Sequence, residues 1–365
     1  MTYSASAVMQ VFVDILRKHS FTSLSYVEKI FTLFDKDCDG YLDKSEFNSL
    51  LINVIAHNGK PGKILPSEEQ EIFSLLDDDK DGKISRQEFL ITGKYWLKQI
   101  FNPVSALLVI DVQNDFIDGT LSLKNCPSNH DGSEVVPVIN NILENTSFDV
   151  VVYTFDWHPP NHLSFVENVN LRSLDSSSQV SAEKAQVLDK IVYAGPPKQE
   201  QILWPKHCVQ NSWGSELHKD LKVIEGAVFS YKGTNPEVDS YSAFWDNGKL
   251  GQTDLALELA KRKITDVYCC GLASDVCVAA TAAHSMEHGF RTTVIEDACR
   301  GVSEDDIILT KKRLEDNGAI YVTSDEVNDL VRSVDRRSAL ALRAARNVSE
   351  GIKMARALLK IDGKD

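Results

Sequence analysis

The sequence has no stretch suited to crossing a membrane as a helix: its longest apolar runs, such as Ala106 to Ile110, fall far short of the roughly 20 residues a bilayer needs. It also lacks any cluster of Lys and Arg, and its formal net charge is −14, so a nucleic-acid backbone is an unfavourable partner. The N-terminal stretch has no basic segment leading into an apolar one, and neither export nor membrane anchoring is expected. The seven cysteines (Cys38, Cys126, Cys208, Cys269, Cys270, Cys277 and Cys299) are odd in number and follow no disulfide spacing. That usage fits free thiols in a reducing compartment, the cytoplasm or the nucleus, and leaves one of them available as a nucleophile. What is present is ordinary globular material, 43% hydrophobic and 25% charged, in a 365-residue chain long enough for two domains, one of them holding a sizeable sheet.

The first hundred residues carry a repeated chemical pattern. DKDCDGYLDKSE places Asp35, Asp37, Asp39, Tyr41, Asp43 and Glu46 at loop positions one, three, five, seven, nine and twelve, with Gly40 at six. DDDKDGKISRQE repeats this with Asp77, Asp79, Asp81, Lys83, Ser85 and Glu88, and Gly82 at six. Calcium takes six to eight hard oxygens in a flexible shell, so the chain must wrap, and the glycine supplies the turn; position seven contributes its backbone carbonyl. Apolar helical patterns end at Phe34 and Leu76, and Phe47 and Phe89 follow each last glutamate, as the flanking helices of EF-hands require. Leu42 and Ile84 are where the paired loops should meet as a short two-stranded contact. Residues 1–101 therefore resemble an EF-hand pair, with calcium expected in a structural role; acidic turns that keep the fold without binding are the plain alternative.

Past Asn102 and Pro103 the pattern changes. SALLVIDVQ, DVVVYTFDW, KITDVYCCG and TTVIEDA read as buried strands alternating with helical segments, which implies a mostly parallel sheet inside a three-layer α/β/α domain over residues 102–325. Ligands of such sheets sit beyond the carboxyl ends of the strands, which draws together Asp111, Asp156 with His158, and the GLASDVC turn. Cys277 stands where a strand gives way to a small-residue helix, and unpaired amides at a helix start favour a thiolate and can hold an oxyanion. Alone, a cysteine among alanines is more often a small core residue. With Asp111 and Lys232, which falls in what reads as a polar loop, it completes a nucleophile, a proton carrier and a fixed cation, the parts of acyl transfer from nitrogen. Asp156, His158 and His207 form a candidate three-ligand metal site, with His162 a weaker fourth, although loop histidines beside proline are also common on surfaces.

The strings DVQNDF, DWHPPNHLSF, ILWPKHCVQNSWGSEL, FSYKGTNPEVDSYSAF, GLASDVCVAATAAH and IEDACRGV together resemble the nicotinamidases of the isochorismatase-like cysteine hydrolase superfamily, over roughly Asn102 to Asp325. The resemblance implies hydrolysis of nicotinamide to nicotinate and ammonia, with Cys277 as nucleophile, Asp111 as base and then acid, and Lys232 as the cation between them. It implies Asp156, His158 and His207 as ligands of a metal, most often zinc, facing the pyridine nitrogen. Phe116 and Trp204 match the aromatic positions around the ring, the amides of Ala273 and Cys277 match the oxyanion hole, and Leu272–Ala273 matches a cis peptide. Isochorismatases lack the cysteine and carbamoylsarcosine-type amidases lack the metal strings, so both fit less well; another small-amide hydrolase, or a calcium-dependent interaction protein with an inert hydrolase domain, are the rival readings. Residues 166–195, rich in serine and charge, read as an excursion of low order. Residues 326–365 show helical spacing and many arginines, and are expected to pack on the hydrolase domain or join a homo-oligomer contact.

Overall fold

The computed structural model describes residues 24–57 and 60–362; the N-terminal stretch read above for a leader lies mostly outside them. The chain divides into two units, residues 1–103 with 329–365, and residues 104–328. No helix among the described residues is long and apolar enough to cross a membrane.

In the first unit, α1 (Leu24–Phe34), α2 (Lys44–Val54), α3 (Pro66–Leu76) and α4 (Lys94–Phe101) flank two loops. The first and third helices end on the residues expected, and the loops meet with Leu42 opposite Ile84, both fully buried. Asp43 and Ser85 cap the following helices in reciprocal capping boxes with Glu46 and Glu88, so the last carboxylate of each loop also starts the next helix. The same core contains the C-terminal segment. Helix Ser338–Asp362 contributes Ala341, Ala344, Ala345 and Val348 to the cluster around Phe47, Phe73 and Trp96. The expectation that 326–365 packs on the hydrolase domain is thus corrected: the apolar stripe of that helix is short-sided and alanine-rich, suited to a close approach between helices, and it is buried with the EF-hand residues.

The second unit is built on six parallel strands: β1 (Ser105–Ile110), β2 (Val150–Asp156), β3 (Val228–Lys232), β4 (Asp266–Leu272), β5 (Arg291–Arg300) and β6 (Ile320–Val322). Their order across the sheet is β6-β5-β4-β1-β2-β3. Every residue of β1, β2 and β4 is buried whichever way its side chain points, so both faces of the sheet are covered by the flanking helices. Those helices are α5 (Val135–Asn145), α6 (Leu255–Lys261), α7 (Cys277–Glu287) and α8 (Glu304–Asp316). The loop assigned to Lys232 is in fact edge strand β3, whose Phe229 and Tyr231 are exposed while Ser230 and Lys232 are buried; with one open face and polar inward residues it does not read as a core strand. Residues 166–195 are also more ordered than their composition suggests. Lys190–Tyr193 pairs with Gln199–Ile202, and Val169, Ile191 and Tyr193 close a small core with Leu163 and Leu203, tied by the Tyr193 hydroxyl donating to the Leu163 carbonyl at 2.9 Å.

Candidate active site

Strand order does most of the assembly. Chain direction reverses its lateral progress between β1 and β4, and at such a switch point the loops leave in opposite directions and open a crevice at the carboxyl ends. Asp111 follows β1, Asp156 ends β2, Lys232 ends β3, and Cys277 begins α7 after β4, so the four side chains come from four adjacent strand ends. Parallel register sets Asp156 directly beside Lys232. Gly271 allows the close approach of β4 to β1: at φ +117° a Cβ there would lie 2.1 Å from the Ile110 carbonyl oxygen.

Lys232 is the hub. Its side chain is fully buried, and its ammonium lies 2.9 Å from Asp111 Oδ2, 3.4 Å from Cys277 Sγ and 3.1 Å from the Ser240 carbonyl, and is in direct contact with Asp156. Burial alone would lower its pKa, but the two carboxylates outweigh burial and hold it well above the usual value, so it stays charged. The carboxylates diverge. Burial pushes Asp111 up and Lys232 only partly offsets it, whereas for Asp156 burial is outweighed by Lys232 and then His158, which hold it well below the usual range. Asp111 itself sits at φ +50°, an uncommon conformation for a residue with a Cβ, fixed by its amide donating to Thr154 Oγ1 at 3.1 Å and by the Thr154 hydroxyl donating to its Oδ1 at 2.5 Å. Burial raises the Cys277 thiol well above its ordinary value, Lys232 opposing and Asp111 and Asp156 adding to the rise. Burial and the two adjacent carboxylates thus oppose the thiolate that the helix start alone favours.

Asp156, His158 and His207 bring one donor atom each within 4.8 Å of one another, all buried. His158 Nε2 and His207 Nε2 lie 3.5 and 3.6 Å from Asp156 Oδ2. Each ring donates its Nδ1–H to a carbonyl, of Gly233 at 2.9 Å and Pro205 at 2.8 Å, which turns both Nε2 atoms toward the shared point, as metal ligation requires. Gly233 is obligatory beneath: a Cβ at its φ of +66° would lie 2.3 Å from the His158 ring. His162 groups instead with His158 and Asp239; its Nε2 is buried without a hydrogen-bond partner, and burial holds its pKa down at about 2.

A cavity with an empty volume of about 400 Å³, partly open to solvent, connects these groups; Phe116, Trp204, His207, Ala273 and Cys277 all line it. Phe116 lies 5.5 Å from the His207 ring. The Leu272–Ala273 peptide is cis, and α7 has no side-chain cap; the amide of Val278, second in the helix, donates to the Ala273 carbonyl at 3.0 Å. Sequence reading did not single out Tyr241, whose ring meets Trp204 edge-on in the cavity wall, or Gln113, which donates to the Asp156 carbonyl at 2.8 Å and accepts from the Asp156 amide at 2.9 Å. It also passed over Thr154, although a hydroxyl two residues before Asp156 in an otherwise apolar strand was a visible signal.

In the EF-hand loops the glycines take φ +86° and +90°, and Glu46 and Glu88 fold back over their loops, each accepting two backbone amides or more. Asp35 Oδ1 and Asp77 Oδ1, the first ligand atoms of each loop, are buried without a hydrogen-bond partner, which is the unmet demand a cation would satisfy.

Comparison with known proteins gives a consistent picture. The chain matches the isochorismatase domain over residues 105–326 and an EF-hand domain pair over residues 25–91. It is 38% identical to the nicotinamidase of Escherichia coli strain K12, covering 55% of this chain and 85% of that protein, and 32% identical to the nicotinamidase of Saccharomyces cerevisiae, covering 58% and 95%. Among solved structures, an Acinetobacter baumanii nicotinamidase–pyrazinamidase superposes with a TM-score of 0.53 at 34% identity, over 61% of this chain and 98% of that one. The yeast nicotinamidase gives 0.52 at 31% identity, over 60% and 99%.

Proposed function

The chain belongs to the isochorismatase family, and we propose that the reaction of its site is hydrolysis of nicotinamide to nicotinate and ammonia through a thioester on Cys277. The observation that carries this reading is one buried ammonium, Lys232, within contact range of a carboxylate of raised pKa and a thiol on the wall of a ring-sized cavity. A cysteine hydrolase needs those parts together.

The opposite pKa shifts of the two aspartates assign their tasks. Asp156, held well below the usual carboxylate range by Lys232 and His158, suits a permanent ligand; Asp111, pushed up by burial, is the one of the pair suited to take up and return a proton. As Cys277 Sγ bonds to the carboxamide carbon, its proton passes to Asp111 and the carbonyl electrons move to oxygen. The amides of Ala273 and Cys277 are the candidate donors to that oxyanion. Asp111 then gives the proton to the amide nitrogen, the carbon–nitrogen bond breaks and ammonia leaves. Water next loses a proton to Asp111 and attacks the thioester; the carbon–sulfur bond breaks, the sulfur recovers the proton, and nicotinate departs. Through both steps Lys232 remains charged and offsets whichever of Asp111 or Cys277 is anionic.

Phe116 and Trp204 offer apolar faces to a pyridine ring. Asp156, His158 and His207 would hold a divalent metal, zinc being the expected one from two imidazoles and a carboxylate, and it would supply Lewis acidity at the ring-nitrogen end of the cavity. Calcium is the ligand of the EF-hand loops, through Asp35, Asp37, Asp39, Tyr41, Asp43 and Glu46, and Asp77, Asp79, Asp81, Lys83, Ser85 and Glu88; the orphaned oxygens of Asp35 and Asp77 support it.

The test is ammonia release from nicotinamide by the purified, zinc-supplemented protein, with Cys277→Ala alongside. Release that disappears in the variant is expected. No release from the intact chain removes the substrate, and release untouched by the substitution removes the mechanism.

A further inference from the structure

EF-hand pairs that act on targets do so by opening an apolar groove between their helices, into which an amphipathic helix lies. In this chain a helix already lies there. Ala341, Ala344, Ala345, Val348 and Ile352 recur at helical spacing along one face of Ser338–Asp362 and pack with Phe47, Leu50, Phe73, Leu76, Trp96 and Leu97. The fit includes a specific anchor: fully buried Trp96 donates its indole N–H to the Ala341 carbonyl at 2.9 Å.

The placement of this helix matters more than its burial. It lies against both α3 and α4, the helices that enter and leave the second calcium loop. Arg346 pairs with Glu71 on α3 at 2.7 Å, and Arg356 reaches Asp78 at 3.0 Å. Asp78 is position two of the loop and supplies no ligand atom, so the arginine brings its charge to the loop without taking an oxygen from the ion. The start of the helix is pinned to the linker between the hands: Arg336 and Ala56 exchange backbone hydrogen bonds of 2.8 and 3.1 Å, and buried Asp335 accepts from Arg337 and lies 3.1 Å from His57 Nδ1.

We propose that Ser338–Asp362 is the EF-hand pair's own target helix, bound in cis, and that calcium binding and helix docking are thermodynamically linked. The proposal deepens the calcium part of the preceding reading and rests on it. Calcium fixes the angle between α3 and α4, and a helix that touches both fits one angle better than others. A ligand that favours one arrangement must have its own affinity raised by anything else that favours it, by the same factor.

Two measurements on the full chain test this. Hydrogen exchange of residues 338–352 in the unmodified protein is expected to be about tenfold slower with calcium than with a calcium chelator, within the 5- to 150-fold range of ordinary coupling. Calorimetric calcium titration of Ala345→Glu, which sets a charge against the apolar groove, is expected to keep two ions and lose about tenfold in affinity, the reciprocal of the same factor. Equal exchange in the two conditions overturns the linkage, as does a variant whose affinity stays within about twofold of the parent. Should Ala345→Glu lose all calcium binding through misfolding, the exchange measurement on the unmodified chain decides alone. Absence of any calcium binding by the parent chain overturns this inference together with the calcium reading, while leaving nicotinamide hydrolysis, assayed separately, untouched.

Discussion

Replacing Lys232 with methionine keeps the length of the side chain and removes its charge, and the groups around the ammonium fix the size of the effect. Two carboxylates and a thiol lie against it, all of them buried. Deleting one partner of a buried ion pair costs about 3–5 kcal/mol because the other charge is left without compensation. In a domain of this size each kcal/mol lowers the melting temperature by about 2–4 °C, so the hydrolase unit should melt about 6–20 °C lower. Part of that cost is relieved by protonation. Burial already pushes Asp111 up, and Lys232 is the first group opposing it, so without the lysine its carboxyl rises further. A base of raised pKa is free to accept a proton only at higher pH, and the acid limb of kcat/KM must therefore move to higher pH. The rate at neutral pH should fall about 10²- to 10³-fold, as for removal of one preorganised charge-stabilising group. The assay is ammonia release across pH with calorimetric melting of the same samples. Lys232→Met with a rate within tenfold of the parent and an unmoved acid limb would refute the reasoning, since no other cation lies between Asp111 and Cys277 among the described residues.

Thr154→Val removes the hydroxyl that donates to Asp111 Oδ1; a hydrogen bond to a charged group is worth about 1.5–3 kcal/mol, so the acid limb should move about one to two pH units higher, read from the kcat/KM profile. Phe116→Ala opens one wall of the cavity beside His207 and should raise KM for nicotinamide about tenfold with a smaller effect on kcat, a split that steady-state kinetics resolves. His207→Ala leaves Asp156 and His158 without their third partner and should lower zinc affinity at least tenfold in a competition titration with a chromophoric chelator. Glu88→Gln weakens the twelfth position of the second loop, and calcium stoichiometry by calorimetry should fall from two ions to one.

Much of the fold was legible because it is periodic. Continuous apolar runs announced β1, β2, β4 and β5, and a ligand at every second loop residue announced the calcium loops with helices ending at Phe34 and Leu76. The failures share a cause, which is that local composition does not report what lies opposite. Val228–Lys232 carries polar and exposed aromatic residues since one of its faces is open at the sheet edge, and so it read as a loop. Residues 166–195 looked disordered, yet Val169, Ile191 and Tyr193 are few and far apart in sequence and suffice for a small core only because Leu163 and Leu203 come to meet them. The alanines of the C-terminal helix gave its period correctly; that its apolar face belongs with α3 and α4 is a fact of long-range packing that no window of sequence contains.

The same limit governs the chemistry. Asp111 and Asp156 are one residue type, each at the end of a buried strand, and reading along the chain could select both while saying nothing of their protonation. Their difference is created by neighbours. Asp156 stands in register beside Lys232 and close to two imidazoles, so several groups oppose the cost of its burial; Asp111 has the lysine and one threonine hydroxyl, with a second carboxylate nearby. One buried lysine therefore yields a fixed anion on one side and a proton-exchanging acid on the other, and only the lateral order β4-β1-β2-β3 brings the thiol to the second of these. Exchanging the roles would require moving the imidazoles rather than changing either aspartate, which is why the division of labour belongs to the fold and not to the residues named in the sequence.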